Sequence, residues 1–316
     1  SFGQDPDSVT VGEMSSTSIA ACVEYTRPEN HELSMVFNFH HLKVDYAEGR
    51  KWTLMTPDVL ALKRILNDWT LGLQAGGGWN ALFWNNHDQP RAINRFCDPD
   101  RFRYESAAML ATAIHLMRGT PYIYMGEEIG MSDPGYTSIE DYVDVEARNA
   151  FIELLQEGRE ADEAFRIVHA KARDNARTPM QWDASTGAGF TDGTPWLRPT
   201  DQAEVNVIRE EACGRILPYY KRLIALRKTM PVVSEGTYEP YAPDHPDVLA
   251  YIRRHERHHL LVICSFRGHE TEIDVPEDLL DAEVLISNYP APPLRPRMQL
   301  RPYEALALLG PRVTAP

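Results

Sequence analysis

The sequence has little of what would place it outside the cell or in a membrane. Its four cysteines, Cys22, Cys97, Cys213 and Cys264, are far apart and show no CxxC or other metal-ligand spacing. That argues against a disulfide scaffold or a zinc site and for free thiols in a reducing cytosol. No apolar run reaches the roughly 20 residues needed to span a bilayer, and no charged-then-apolar signal segment opens the chain. Internal repeats and low-complexity tracts are absent as well. Positive charge is scarce: 32 Lys and Arg against 46 Asp and Glu leave a formal net charge of −14. This balance argues against nucleic acid as a partner and leaves no basic face for an anionic membrane, so an anionic ligand would need a locally basic pocket.

What is present, over 316 residues, is enough for one large domain and a smaller one. The densest chemistry lies in the stretch NALFWNNHDQPR, Asn80 to Arg91. An apolar, strand-like run to Trp84 ends in Asn85, Asn86, His87, Asp88 and Gln89, and Pro90 stops it. In parallel α/β folds the carboxyl ends of strands are where sites are built, which makes Asp88 beside His87 a catalytic candidate. The alternative is a helix-capping Asp and a satisfied core His. Five polar side chains in a row are more than a structural turn needs.

The same grammar repeats along the first half. Val9 to Val11 leads into Gly12, Glu13 and Met14, and Ser15 to Thr17 can cap a helix reaching about Tyr25. Ser34 to Phe39 is a strand ending in His40, His41, Leu42, Lys43, Val44 and Asp45. A helix runs from Pro57 to about Leu73, and apolar positions from Met109 to Met117 mark another, ended by Gly119. Pro121 to Tyr124 is a fourth strand, followed by Gly126, Glu127 and Glu128. Four strand and helix units imply a parallel sheet, with Glu13 and Asp88 two strands apart at one mouth. Residues 131–205 are polar and long, the signature of a lid, and a single helix is expected from Asn206 to Lys228. From Val233 the pattern turns to short β runs, Val248 to Arg253, Leu260 to Phe266, Glu270 to Val275, Glu283 to Ser287 and Ala305 to Leu309, which read as a small antiparallel sandwich. The expected division is 1–230 and 231–316.

VGEM at Val11 to Met14, NNHDQPR at Asn85 to Arg91, GTPYIYMGEEIGM at Gly119 to Met131 and ARTPMQWD at Ala176 to Asp183 together resemble the α-amylase superfamily, in its oligosaccharide α-glucosidase branch. GEMSSTS at Gly12 to Ser18 and FNFHHLKVDY at Phe37 to Tyr46 are similar to its trehalose-6-phosphate hydrolase subgroup. The resemblance implies an α/β fold: the C-terminal half of a (β/α)8 barrel, strands five to eight, followed by the β-sandwich. It implies retaining hydrolysis, in which an acid protonates the leaving oxygen and a carboxylate roughly 5 to 5.5 Å away forms a glycosyl-enzyme. On that basis Glu13 is the general acid/base, needing an apolar or like-charged setting to hold its proton. Asp88 is the carboxylate that binds sugar hydroxyls and stabilises the oxocarbenium-like transition state. His87 binds the same sugar, Arg177 closes over it, and Arg91 either contacts substrate or pairs with Asp88. No cofactor and no metal site is implied.

One departure matters. The nucleophile of this family lies in a DGFRxD-like motif at the end of the fourth strand, and no such motif is present. Glu13 belongs to the fifth strand, and Ser1 to Asp7 run almost directly into it, so the expectation is a chain that starts after the nucleophile and is inactive alone. Its two open sheet edges would then pair with the absent half or with a second copy. Lys43 is the specificity clue: it is either a point charge for a 6-phosphate, helped by His40, His41 or Lys51, or a solvated loop lysine. The expected activity is hydrolysis of trehalose 6-phosphate in the cytoplasm, with oligo-1,6-glucosidase or sucrose isomerase as the neutral-sugar alternative and a non-catalytic barrel module as the alternative from another class.

Overall fold

The computed structural model describes residues 8–256 and 258–310, so the opening stretch Ser1 to Asp7 lies outside the described residues. In the first half, β1 (Val11–Met14), α1 (Ile19–Thr26), β2 (Met35–Asn38), α2 (Val59–Gly76), β3 (Asn80–Leu82), α3 (Ala92–Phe96), α4 (Pro99–His115) and β4 (Thr120–Pro121) alternate. The strands form one parallel sheet in the order β1-β2-β3-β4, with Glu13 level with Phe37 and Phe37 level with Ala81. This is the strand and helix arrangement of half an eight-stranded barrel.

Alternation sorts the two faces. Val36 and Met14 pack with Cys22, Val23, Trp69 and Leu73 of α1 and α2, while Leu82 and Trp84 pack on α4. The intervening side chains, Phe37, Phe83 and Tyr122, form an edge-to-face aromatic set on the other face, the one Glu13 also points to. The helices start where the sequence allows them: Ser18 and Asp58 accept from the third residue of their helices, and Gly77, at φ 76°, closes α2 in the left-handed region. β1 sits at the sheet edge, and its Val11 is exposed.

Two further expectations need correcting. Residues 131–205 are not simply a polar loop: α5 (Val145–Gln156) and α6 (Ala161–Lys171) pack as a helical pair with their own core of Ala147, Ala150, Leu154, Ala164, Ile167 and Val168. The single helix expected after Asn206 is two, α7 (Val207–Cys213) and α8 (Ile216–Thr229), broken at Gly214. Glu210 of α7 receives the free Ile216 and Leu217 N–H groups at 2.5 and 3.0 Å, which caps α8 and makes the break stable. A short α9 (Pro231–Ser234) follows.

The second half holds β5 (Thr237–Tyr241), β6 (Val248–His255), β7 (His258–Ser265), β8 (Thr271–Asp274), β9 (Glu283–Ser287), β10 (Arg297–Leu300) and β11 (Ala305–Leu309). A five-stranded antiparallel sheet, β5-β6-β7-β11-β9, faces the pair β10-β8. One face of the large sheet, Val248, Ala250, Ile252, Leu261 and Ile263, packs on Ile273, Met298 and Leu300, making a sandwich. The other, Leu249, Tyr251, Leu260 and Val262, packs on α4 and α8. Because β6 and β7 are covered on both faces they are apolar without alternation, unlike a half-exposed strand.

Candidate active site

The polar run after β3 is fastened at both ends. Asn85 donates to Glu127 Oε2 at 2.5 Å and accepts from the Ala92 N–H at 2.7 Å. Glu127 is buried and also accepts from the Tyr220 hydroxyl at 3.0 Å. Burial pushes its carboxyl up to about 7, against the pull of the two donors. At the far end the Arg91 N–H donates to Asp133 Oδ1 at 2.8 Å. Between these anchors the Asp88 N–H donates to Asn86 Oδ1 at 3.0 Å, an Asx turn that presents the next side chains outward.

Two guanidiniums from one turn, Arg173–Ala176 with Arg177 after it, meet Asp88 there. Arg177 Nη2 donates to Asp88 Oδ1 at 2.9 Å while its Nε donates to the His87 carbonyl at 2.6 Å. Arg173 Nη1 lies 3.5 Å from the same Oδ1. The other oxygen, Oδ2, is 3.4 Å from His87 Nε2, with the His87 and Asp88 side chains 64% and 41% exposed. One carboxylate oxygen is therefore charge-compensated, and the other is open to accept a hydroxyl or to face a developing positive charge.

Arg173 is held in turn. Its Nε and Nη2 reach the two Asp144 oxygens at 2.5 and 2.9 Å, and Glu146 lies at 3.5 Å. The hydrogen-bonded Arg173 holds the Asp144 carboxyl below the usual carboxylate range. Asp174 Oδ2 accepts the Val143 and Asp144 N–H groups, each at 2.9 Å, which fixes that end of α5 against the Arg173 turn.

A second carboxylate cluster lies beside it. Asp45 is bound by Arg95 at 2.7 and 3.2 Å and by Lys171 of α6 at 2.6 Å, all three buried. Burial pushes the Asp45 carboxyl up, but the two cations outweigh it and leave it below its ordinary range.

Several expectations meet a different geometry. Arg91 is 1% exposed; it donates to the Met125 carbonyl at 2.9 Å, so it neither faces a ligand nor pairs with Asp88. His41 is buried with its Nε2 on the Phe83 carbonyl at 3.0 Å, and burial lowers it to about 4, so it is neutral and cannot help bind phosphate. Lys51 is paired with Glu146 at 2.8 Å. His40, tilted over Trp69, is also lowered, by burial and by Lys43. Lys43 itself is exposed, one turn after β2, with no acidic partner among the described residues. Glu13, the third residue of the edge strand, is exposed, and its side chain makes no hydrogen bond or ion pair among the described residues. The described residues thus do not supply the apolar or like-charged setting that a general acid needs.

Sequence reasoning singled out neither Arg173 nor Asp144, although Arg173 stands four residues before Arg177 and a single turn brings both to one carboxylate. Among the described residues no group of three His, Cys, Asp or Glu could hold a metal ion, and no helix is long and apolar enough to cross a membrane.

Comparison with known proteins shows what the chain as a whole is similar to. Residues 1–236 match the alpha amylase catalytic domain and residues 238–306 the maltogenic amylase C-terminal domain. The chain is 48% identical to the trehalose-6-phosphate hydrolase of Bacillus subtilis over 98% of its own length and 56% of that protein. It is 43% identical to the oligo-1,6-glucosidase of Halalkalibacterium halodurans over 97% of its length and 56% of that protein. The crystal structure of Bacillus licheniformis trehalose-6-phosphate hydrolase superposes with a TM-score of 0.94 at 46% identity, covering 98% of this chain and 57% of that one. The chain spans about half the length of the curated relatives it matches.

Proposed function

The chain belongs to the alpha-amylase family of glycoside hydrolases, and from that premise we propose that the whole protein hydrolyses the α-glucosidic bond of trehalose 6-phosphate, with retention, to glucose and glucose 6-phosphate. The observation that carries the reading is Asp88, turned outward with one oxygen on two arginines and the other beside His87. Its open oxygen would accept a glucose hydroxyl and oppose the positive charge of the oxocarbenium-like transition state. His87 would bind the same ring, and Arg177 would close over it while holding Asp88. Glu13, two strands away at the same end of the sheet, would protonate the leaving oxygen. The enclosed setting a proton donor needs would come from whatever covers the exposed face of β1, where the aromatic set of Phe37, Phe83 and Tyr122 forms one wall. The nucleophile is assigned to no residue here, because the 316 residues contain no DGFRxD-like motif. The free edges of β1 and β4 are where the segment carrying it, or a second copy, would pair.

Lys43 supports the phosphorylated substrate over the neutral one: it is an exposed cation near this rim, with no acidic partner among the described residues, on a chain of net charge −14. The four free cysteines fit a cytoplasmic setting. Assaying the whole protein on trehalose 6-phosphate and on isomaltose tests the proposal. A higher kcat/KM on trehalose 6-phosphate is expected; preference for isomaltose would instead establish the oligo-1,6-glucosidase reading.

A further inference from the structure

Resting on the reading of this site as the glucoside-hydrolysing centre, we infer that Glu127 is a positioning residue whose ionised carboxylate, acting through Asn85, fixes the base of the turn that carries His87 and Asp88. Asn85 spans that base. Its Oδ1 accepts the N–H of Ala92, the first residue of α3, and its Nδ2 donates to Glu127 Oε2. A backbone N–H can only donate, so Ala92 dictates which way the amide faces and leaves Nδ2 in need of an acceptor on the opposite side. Glu127, carried on the segment after β4, is that acceptor.

The surroundings make this contact depend on charge. Glu127 Oε1 accepts from Tyr220 of α8, and the Tyr124 backbone adds a weaker hydrogen bond. Behind Tyr220 stands His115 of α4, ring centroids 5.3 Å apart, which burial lowers to about 4 and keeps neutral. Arg91 attracts the carboxylate and neighbouring Glu128 repels it. The space left beside it, bounded by Trp84, Leu110 and Met131, is about 10 Å³, enough for one water at most. A proton on Glu127 therefore needs an acceptor where the protein offers donors, and the charge-assisted bond to Asn85 is lost whichever neighbour turns. Burial pushes the carboxyl up to about 7, so the clamp tightens as pH rises through neutrality. A merely structural acceptor would need no charge: a glutamine could accept from Asn85 and face Tyr220 with its amide, without the penalty of a buried ion. The orientation that a carboxylate imposes on Asn85 explains why one stands there.

The test is kinetic and crystallographic. In the whole protein, kcat on an α-glucoside is compared between the unaltered chain and Glu127→Gln at each pH, so that the titrations of the catalytic carboxylates, common to both, cancel in the ratio. The unaltered chain should be faster by about tenfold at about pH 8.5, the scale of a displacement below 1 Å, and the ratio should fall toward one by about pH 6, where Glu127 is protonated. A ratio that does not change with pH, whatever its value, overturns the inference. On an Asn85→Ala background the ratio should lose its pH dependence, because the carboxylate then has nothing to hold; a ratio that keeps it overturns the route through Asn85. The second arm does not depend on turnover: crystal structures of the unaltered protein and Glu127→Gln at about pH 8.5 should differ in the placement of the His87 and Asp88 turn, and an unmoved turn overturns the inference equally. If the unaltered protein cleaves no α-glucoside, the functional reading fails, and the crystallographic arm still decides the role of Glu127.

Discussion

Asp45 and Asp88 follow neighbouring strands at the same end of the sheet, and each is met by two cations. Asp45 is sealed: its side chain and those of Arg95 and Lys171 are 4%, 2% and 4% exposed. Asp88 is open, with only one oxygen compensated and the other beside an exposed His87. The same residue types therefore make a staple in one place and a candidate site in the other. What differs is access to water, which leaves Asp88 with acceptor capacity that Asp45 has already spent on Arg95 and Lys171.

The comparison is sharpened first by removing the staple. Asp45→Ala would leave two buried cations uncompensated between the sheet and α6, and should destabilise the chain by about 3–5 kcal/mol in denaturant titration. A loss under about 1 kcal/mol, the ordinary value for an exposed pair, would erase the distinction.

The next test uses pH. Folding raises the Glu127 carboxyl from an ordinary 4.5 to about 7, so the folded chain holds a proton that the unfolded chain releases first. Its stabilising contribution is complete below about pH 4.5 and is lost as pH rises toward 7. A span of about 2.5 pH units at roughly 1.4 kcal/mol each gives about 3 to 4 kcal/mol as the upper scale. Glu127→Gln should therefore flatten the fall in stability across that window and leave the variant more stable than the unaltered chain at pH 8. A pH profile that the substitution does not change would contradict the assignment of Glu127 as the buried clamp on Asn85.

The smallest effect is expected at Lys43. In the whole protein, Lys43→Ala should raise KM for trehalose 6-phosphate about tenfold, or about 1.4 kcal/mol, and leave KM for p-nitrophenyl glucoside nearly unchanged. Equal effects on both substrates would remove Lys43 from any phosphate site.

Much of this was legible in the residues. Strands ending in polar groups disclosed the parallel sheet, and the short β runs after Val233 disclosed the second module, although β5 and the Pro-flanked β10 escaped notice. Asp88, His87 and Arg177 could be named because the motif places them on one exposed turn and its nearest clamp. Arg91 could not be judged, since its burial is decided by Met125 and Asp133, more than thirty positions along the chain. Nor could Lys51, neutralised by Glu146 across 95 positions. The helical pair α5–α6 has Ala147, Ala150 and Leu154 and then Ala164, Ile167 and Val168 at helical spacing, a signal present in the sequence but set in a stretch polar enough overall to read as a loop.

The central claim is that the open carboxylate after β3 serves chemistry and not the fold. Asp88→Asn in the whole protein tests it directly, with turnover of trehalose 6-phosphate and denaturant stability measured on one preparation. The account predicts a fall in kcat of about 10²–10³ with stability within about 0.5 kcal/mol of the unaltered protein. Undiminished turnover, or a loss of several kcal/mol in stability with turnover kept, would contradict it.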